Sequence, residues 1–367
     1  MIYLDNGATS FHKPIGVADA VRRAMFTCAN PGRGGYAAAM ESAQVVYSCR
    51  ERASKMFDCQ PEQVVFTSNC THGLNIAIRS LVKAGDRVVV SGFEHNAVIR
   101  PLYAIGAQVV VAGRKLFDWD DTLNAFENAL KKGADAAVFT HMSNVFGYIL
   151  PIEQIVNLCK HYATPCIIDA AQSAGTLPVK LQALGADFIA MPGHKGLLGP
   201  QGTGLLLCNR LPKPYMHGGT GSDSMNRNMP DFLPDIAEAG TLNVPGIAGL
   251  DAALKYLHKV GISQIAKRER AEAYRCIAML KEMGQKVYFG EHQGGTVSFV
   301  PLQDCEDIAE KLAQKGVAVR AGLHCAPLAH ESAGTLDTGT VRISYGHDAV
   351  KWQTDFLKKF LQEILQK

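Results

Sequence analysis

The chain has 367 residues, 47% of them hydrophobic and 19% charged, with a formal charge of +3. That composition supplies ample apolar mass for one large domain or two, and it excludes a disordered or low-complexity chain. Near-neutral charge without a basic stripe of interleaved aromatics excludes nucleic acid as an expected partner, though not a local pocket for an anion.

From the amino terminus, Met1 leads directly into Ile2-Tyr3-Leu4-Asp5, with no charged segment before a long apolar run. Neither a signal peptide nor a membrane span is expected. Ten cysteines are scattered along the chain and none forms a C-x-x-C pair. They read as reduced thiols of a cytoplasmic protein, Cys325 being considered apart, and no metal is expected.

Seven short runs read as strands in chain order: Val64–Thr67, Arg87–Ser91, Gln108–Ala112, Ala136–Met142, Cys166–Asp169, Phe188–Met191 and Gly204–Cys208. Several are apolar throughout, the mark of strands covered on both faces of a mainly parallel sheet. Helical patterns such as Thr71–Val82 and Ile152–Tyr162 alternate with them, so the expected fold is α/β. A loop rich in Gly, Ser, Asn, Pro and Asp spans Tyr215–Asp235, a length that is often functional. After Pro245 the pattern changes: a helix-rich stretch runs from Ile247 to about Lys286, then strands at Thr296–Val300, Val317–Arg320 and Val341–Tyr345, and a last helix near Lys351–Gln366. We therefore expect a large α/β domain over 13–250 and a smaller α+β domain built from 1–12 and 251–367.

Three local motifs carry chemistry. Pro192-Gly193-His194-Lys195-Gly196 sets a lysine at the carboxyl end of a strand, where open α/β sheets bind their ligands, and its glycines allow close backbone approach. Cys166-Ile167-Ile168-Asp169-Ala170-Ala171-Gln172 ends an apolar strand in an acid. A buried carboxylate needs a partner; a protonated pyridine nitrogen would supply one, with Gln172 near the ring hydroxyl, and capping the next helix is the alternative. Thr67-Ser68-Asn69-Cys70-Thr71-His72-Gly73 runs from strand to helix start, where exposed N–H groups suit a phosphate or need only a simple cap.

These elements, in this order, resemble the class V aminotransferase group of fold-type I pyridoxal 5′-phosphate enzymes, and more closely the cysteine desulfurases. Further segments carry the resemblance: Tyr3-Leu4-Asp5-Asn6-Gly7-Ala8-Thr9, Glu94-His95-Asn96-Ala97, His141-Met142-Ser143-Asn144-Val145-Phe146-Gly147, Glu238-Ala239-Gly240-Thr241-Leu242-Asn243 and Arg320-Ala321-Gly322-Leu323-His324-Cys325-Ala326. The short cysteine loop is similar to that of the SUF-type (group II) desulfurases. The resemblance implies that Lys195 holds the cofactor as a Schiff base, with Asp169, Gln172, His95, Asn144, Thr71, Cys70 and His194 around it and Thr241 reaching the partner subunit of a homodimer. It implies Cys325, Lys195 and His95 as catalytic residues, and Arg342 on the substrate carboxylate, with Asn144, Arg33 and Arg320 as further substrate contacts. L-cysteine would become alanine plus a persulfide on Cys325, passed on to a sulfur-acceptor protein. L-selenocysteine as substrate, an aminotransferase or lyase that gives Cys325 no task, and a non-enzymatic scaffold are the alternatives. The chain departs from the family at Pro192, often serine, at His72, often glutamate, and at Leu323, often histidine; the first removes a phosphate donor.

Overall fold

Strands without polar alternation need apolar cover on both faces, and the fold provides it. A computed structural model describes residues 1–32 and 34–365. Its strands are β1 (Ile2–Tyr3), β2 (Val64–Thr67), β3 (Arg87–Ser91), β4 (Gln108–Ala112), β5 (Ala136–Thr140), β6 (Cys166–Asp169), β7 (Phe188–Pro192) and β8 (Gly204–Cys208), then β9 (Lys286–Tyr288), β10 (Thr296–Val300), β11 (Val317–Ala318), β12 (Arg320–Gly322) and β13 (Thr340–Ser344). Its helices are α1 (Val17–Thr27), α2 (Ala37–Phe57), α3 (Cys70–Leu81), α4 (Asn96–Ile105), α5 (Trp119–Lys131), α6 (Ile152–His161), α7 (Leu181–Leu184) and α8 (Val244–Val260), then α9 (Ile262–Glu282), α10 (Cys305–Gln314), α11 (Pro327–Ala333) and α12 (Lys351–Leu365).

All seven expected runs enter one sheet in the order β2-β8-β7-β6-β5-β3-β4. Only β8 runs against the rest, pairing antiparallel with β2 and β7. One face packs on α2, α5, α6 and α8 through Val46, Phe57, Phe126, Ile155 and Leu250. The other packs on α3 and α4 through Leu74, Ile78 and Leu102. Burial on both sides explains why β5 and β7 carry no alternation. A second, antiparallel sheet, β12-β13-β10-β9, has its own core with α9, α10 and α12 around Ile277, Leu312, Ile343 and Leu361.

The structure corrects four element boundaries. The strand expected at Ala136–Met142 stops at Thr140, because the chain turns so that the His141 N–H meets the Asp169 carbonyl and Met142 bridges back to Ile149. Val317–Arg320 is not one strand: Val317 and Ala318 pair in parallel with Ile2 and Tyr3, whereas Arg320 begins β12 beside β13. The stretch from Ile247 is two helices divided at Gly261, whose φ of 83° ends α8. Lys286 opens β9 instead of closing a helix. Residue 250 falls inside α8, a helix that packs against α1 and α2.

Candidate active site

The direction shared by six strands brings their carboxyl ends to one edge of the sheet, and the motifs sit there. Thr67 leads to Cys70 and Thr71, Ser91 to His95, Thr140 to Asn144, β6 ends on Asp169, and β7 leads to His194 and Lys195. One cavity is lined by Cys70, Thr71, His95, Asn144, Asp169, Gln172, Pro192, His194 and Lys195. The two loops carrying Asp169 and Lys195 touch backbone to backbone. A methyl group on Gly175 would lie 2.1 Å from the Gly196 carbonyl oxygen, and one on Gly196 would lie 2.3 Å from that of Ala174. Only glycine permits this approach.

Asp169 is 2% exposed, and burial pushes its carboxyl above the usual range. Its Oδ1 accepts from the Ala171 N–H at 2.8 Å and the Cys70 thiol at 3.4 Å. Burial, then the Arg342 charge, holds the Lys195 amine below its ordinary value, which favours the neutral, nucleophilic form. His95 caps α4 by accepting the Ala97 N–H on Nδ1 at 3.0 Å. Burial and the Lys195 charge bring it down to about 4, so it is a neutral ring with its proton on Nε2.

The phosphate-loop expectation gains definition. Asn69 caps α3 by accepting the His72 N–H, and the Gly73 N–H meets the Asn69 carbonyl. The unpaired first-turn donors are then those of Cys70 and Thr71, with the exposed Thr71 hydroxyl beside them. His72 accepts the Ser68 N–H on Nδ1, so it braces this turn. His194 is tied through Nδ1 to Thr9 and held down to about 4 by burial and Lys195; it enters the cavity as a neutral ring. Pro192 lines the cavity and offers no donor. Gln172 spends its amide nitrogen on the Gly7 carbonyl at 2.9 Å.

The small sheet supplies the cations. Arg320 and Arg342 stand directly opposite each other on β12 and β13. Arg342 is 1% exposed, a guanidinium enclosed by the surrounding fold. Its Nη2 bonds Asp5 Oδ1 at 2.5 Å and its Nη1 bonds the Asn144 carbonyl at 3.1 Å, leaving Nε without a partner. Arg320 places Nη2 3.9 Å from Cys325 Sγ. Cys325 is exposed, and it and His324 both adopt left-handed backbone, at φ 56° and 51°. The loop is pinned by the Asn96 N–H on the Cys325 carbonyl at 2.8 Å and by Asn144 Nδ2 on the His324 carbonyl at 2.8 Å. The Asn144 amide is thus committed to the cysteine loop.

Thr241 lies outside this cavity, lining a separate cleft with Asn30, Pro31, Gly32 and Tyr47. Arg33 lies outside the described residues. Asp5, Asn96, Arg50 and Glu238 went unmarked as functional residues. The buried Arg50–Glu238 pair, 2.9 Å apart, fixes the segment that carries Thr241. No local pattern signals contacts between residues so far apart in the chain.

A lysine and a buried aspartate facing one cavity at the carboxyl ends of a largely parallel sheet define the class: the fold-type I architecture. The structure matches the apo form of a cysteine desulfurase from Thermococcus onnurineus with a TM-score of 0.90 and 28% identity, covering 100% of this chain and 94% of that one. The Aminotransferase class-V family model matches residues 2–356, and the chain belongs to that family. A Methanothermobacter thermautotrophicus relative, described as a probable cysteine desulfurase, is 31% identical over 99% of this chain and 94% of its own length. A cysteine desulfurase of Escherichia coli is 31% identical over 89% of this chain and 84% of its own. Membership implies pyridoxal 5′-phosphate, and the cavity fits it. A buried carboxylate fits a ring cation, a lysine amine held below its ordinary value fits an aldehyde, and a helix start with free N–H groups fits a phosphate.

Proposed function

We propose that the chain is a pyridoxal 5′-phosphate-dependent cysteine desulfurase that converts L-cysteine to L-alanine and leaves a persulfide on Cys325. One observation carries this reading: the amine of Lys195 and the carboxylate of Asp169 line the same cavity as Asn144, whose side chain holds the exposed Cys325 loop through the His324 carbonyl. Bound there, the cofactor supplies an aldehyde for the amino group and an electron-withdrawing ring. Lys195 holds it and, once free, takes the Cα proton on Nζ. Asp169 would pair with the ring nitrogen and favour its protonated form. His95 would face the ring as a neutral imidazole whose Nε2–H donates, which leaves proton abstraction to Lys195. Thr71, the first N–H groups of α3 and His194 would hold the phosphate, and Gln172 would stand beside the ring.

The substrate carboxylate would be met by Arg342 and Arg320, with Arg33 as a further contact, while Asn144, its amide nitrogen on the His324 carbonyl, holds the cysteine loop. Cys325 thiolate, held by the Arg320 guanidinium, attacks the substrate sulfur. An S–S bond forms as the Cβ–S bond breaks, and the electron pair leaves with carbon, which takes a proton and becomes the methyl group of alanine. An acceptor protein then removes the sulfur from the exposed side chain.

We place the enzyme in the cytoplasm, where ten unpaired cysteines are stable as thiols. Among the described residues no helix is long and apolar enough to cross a membrane. A homodimer is proposed, with Thr241 completing the partner's phosphate site, and gel filtration with light scattering tests it.

The decisive assay follows alanine from L-cysteine and L-selenocysteine, with and without reductant, in wild type, Cys325→Ala and Lys195→Ala. Alanine from L-cysteine should vanish in both variants. Desulfuration that survives Cys325→Ala overturns the proposal, and alanine from L-selenocysteine alone would reassign the enzyme as a selenocysteine lyase.

A further inference from the structure

The first residue of α3 stands in the wall of the cofactor cavity, 99 positions before Asp169 and bonded to it. Cys70 is 7% exposed. Burial and the neighbouring carboxylate push its thiol well above the ordinary range, so it stays protonated and is a standing hydrogen-bond donor. Its partner is Asp169 Oδ1, which also receives the Ala171 N–H. No hydrogen bond reaches Oδ2 among the described residues. Two donors on one oxygen fix the plane of a carboxylate and leave the other oxygen as its free acceptor. They also stabilise its charge, since donors to the ionised form favour that form.

We propose that Cys70 is a positioning residue for Asp169: its S–H fixes the carboxylate so that Oδ2 meets the ring nitrogen of the cofactor. This rests on the proposed cofactor chemistry and adds a residue to it. The expected place of Cys70 was the phosphate end of the cavity, where its backbone N–H remains; its side chain serves the opposite end. The same residue therefore links both ends of the ring through one helix start.

The test compares apo-protein binding of pyridoxal 5′-phosphate with that of its 1-deaza analogue, in which carbon replaces the ring nitrogen. Cys70→Val, nearly isosteric and without a donor, should weaken pyridoxal 5′-phosphate about tenfold and leave the deaza analogue within about twofold of wild type, the scale of one hydrogen bond to a charged group. Cys70→Ser, which restores a donor, should recover most of the loss. The pH dependence of the bound cofactor's visible absorption should move in Cys70→Val and return in Cys70→Ser. Equal weakening of both ligands would mean packing alone and overturns the inference, as does unchanged affinity in Cys70→Val. Should Cys70→Val not fold, Cys70→Ala answers the same comparison. Wild-type protein that binds neither ligand would instead overturn the proposed function itself.

Discussion

Arg342 is a guanidinium buried to 1% exposure, and a charge so placed is stable only while its donors are met. Asp5 and the Asn144 carbonyl meet two of its three nitrogens, and the buried Nε has no partner among the described residues. A lysine has neither the fork nor the reach to serve all three. Arg342→Lys is expected to raise KM for L-cysteine by about tenfold to a hundredfold with a smaller effect on kcat, measured by steady-state alanine release. Lys195, Asp169 and Cys325 stand out in the sequence as candidates because each lies in a short motif with its own glycines or strand end, and the fold brings the first two to one cavity. Asp5 was not marked for a site role, because its partner lies 337 residues away and is brought there by long-range pairing of β1 with β11 and of Asp5 with Ser344.

At the scale of elements, the site depends on loops that a side chain would push apart. Gly175, at φ 91°, lies against Gly196, and a Cβ at 2.1 Å from a carbonyl oxygen forces the Lys195 loop to shift. Gly175→Ala should therefore lose cofactor, read as loss of visible absorption and of the pyridoxyl adduct after borohydride, while far-UV circular dichroism stays native. The cysteine loop is the second such element. His324 and Cys325 sit in the left-handed region without being glycine, a strain that Asn96, Asn144 and Thr340 hold in place. His324→Val sets a β-branched residue there at a cost of about 1–2 kcal/mol. Faster hydrogen exchange across 322–326 and a lower desulfuration rate, with cofactor affinity unchanged, are the expected outcomes. The seven strands of the large sheet were legible because complete burial writes itself as uninterrupted apolar runs. Val317–Arg320 was not, since four residues of strand composition do not show that they divide between two partners.

The whole molecule places the small sheet's α9 against the N-terminal segment and the loop after β13. Glu269 of α9 lines the space between them with Asn6, Gly7, Lys195, Tyr345 and His347. Burial, then the Asp348 charge, pushes its carboxyl up to about 8 from 4.5. A carboxyl raised in the folded state adds stability that is full below the unfolded value and is lost as pH rises to the folded one. Glu94, buried between Ser91 and the Thr140 N–H and also raised to about 8, acts with the same sign. The buried histidines His95, His141 and His194, each held down to about 4, oppose it below their unfolded value of 6.5, where stability rises with pH. Melting temperature should therefore peak near neutrality and fall toward pH 8, and Glu269→Gln should fall less steeply over that interval, checked by scanning calorimetry. An equal slope in wild type and variant would exclude Glu269 as a source of the decline.

The register that sets Arg320 across from Arg342 also reaches into ordinary bench practice. The Arg320 charge works against that of Arg342, so a small oxyanion such as sulfate or phosphate in a storage buffer, by pairing with Arg320, is expected to steady the protein and, on the proposed function, to compete with L-cysteine. Apparent affinities for L-cysteine should then read weaker in such buffers than in oxyanion-free ones, and equal values in both would exclude the pair as an anion site.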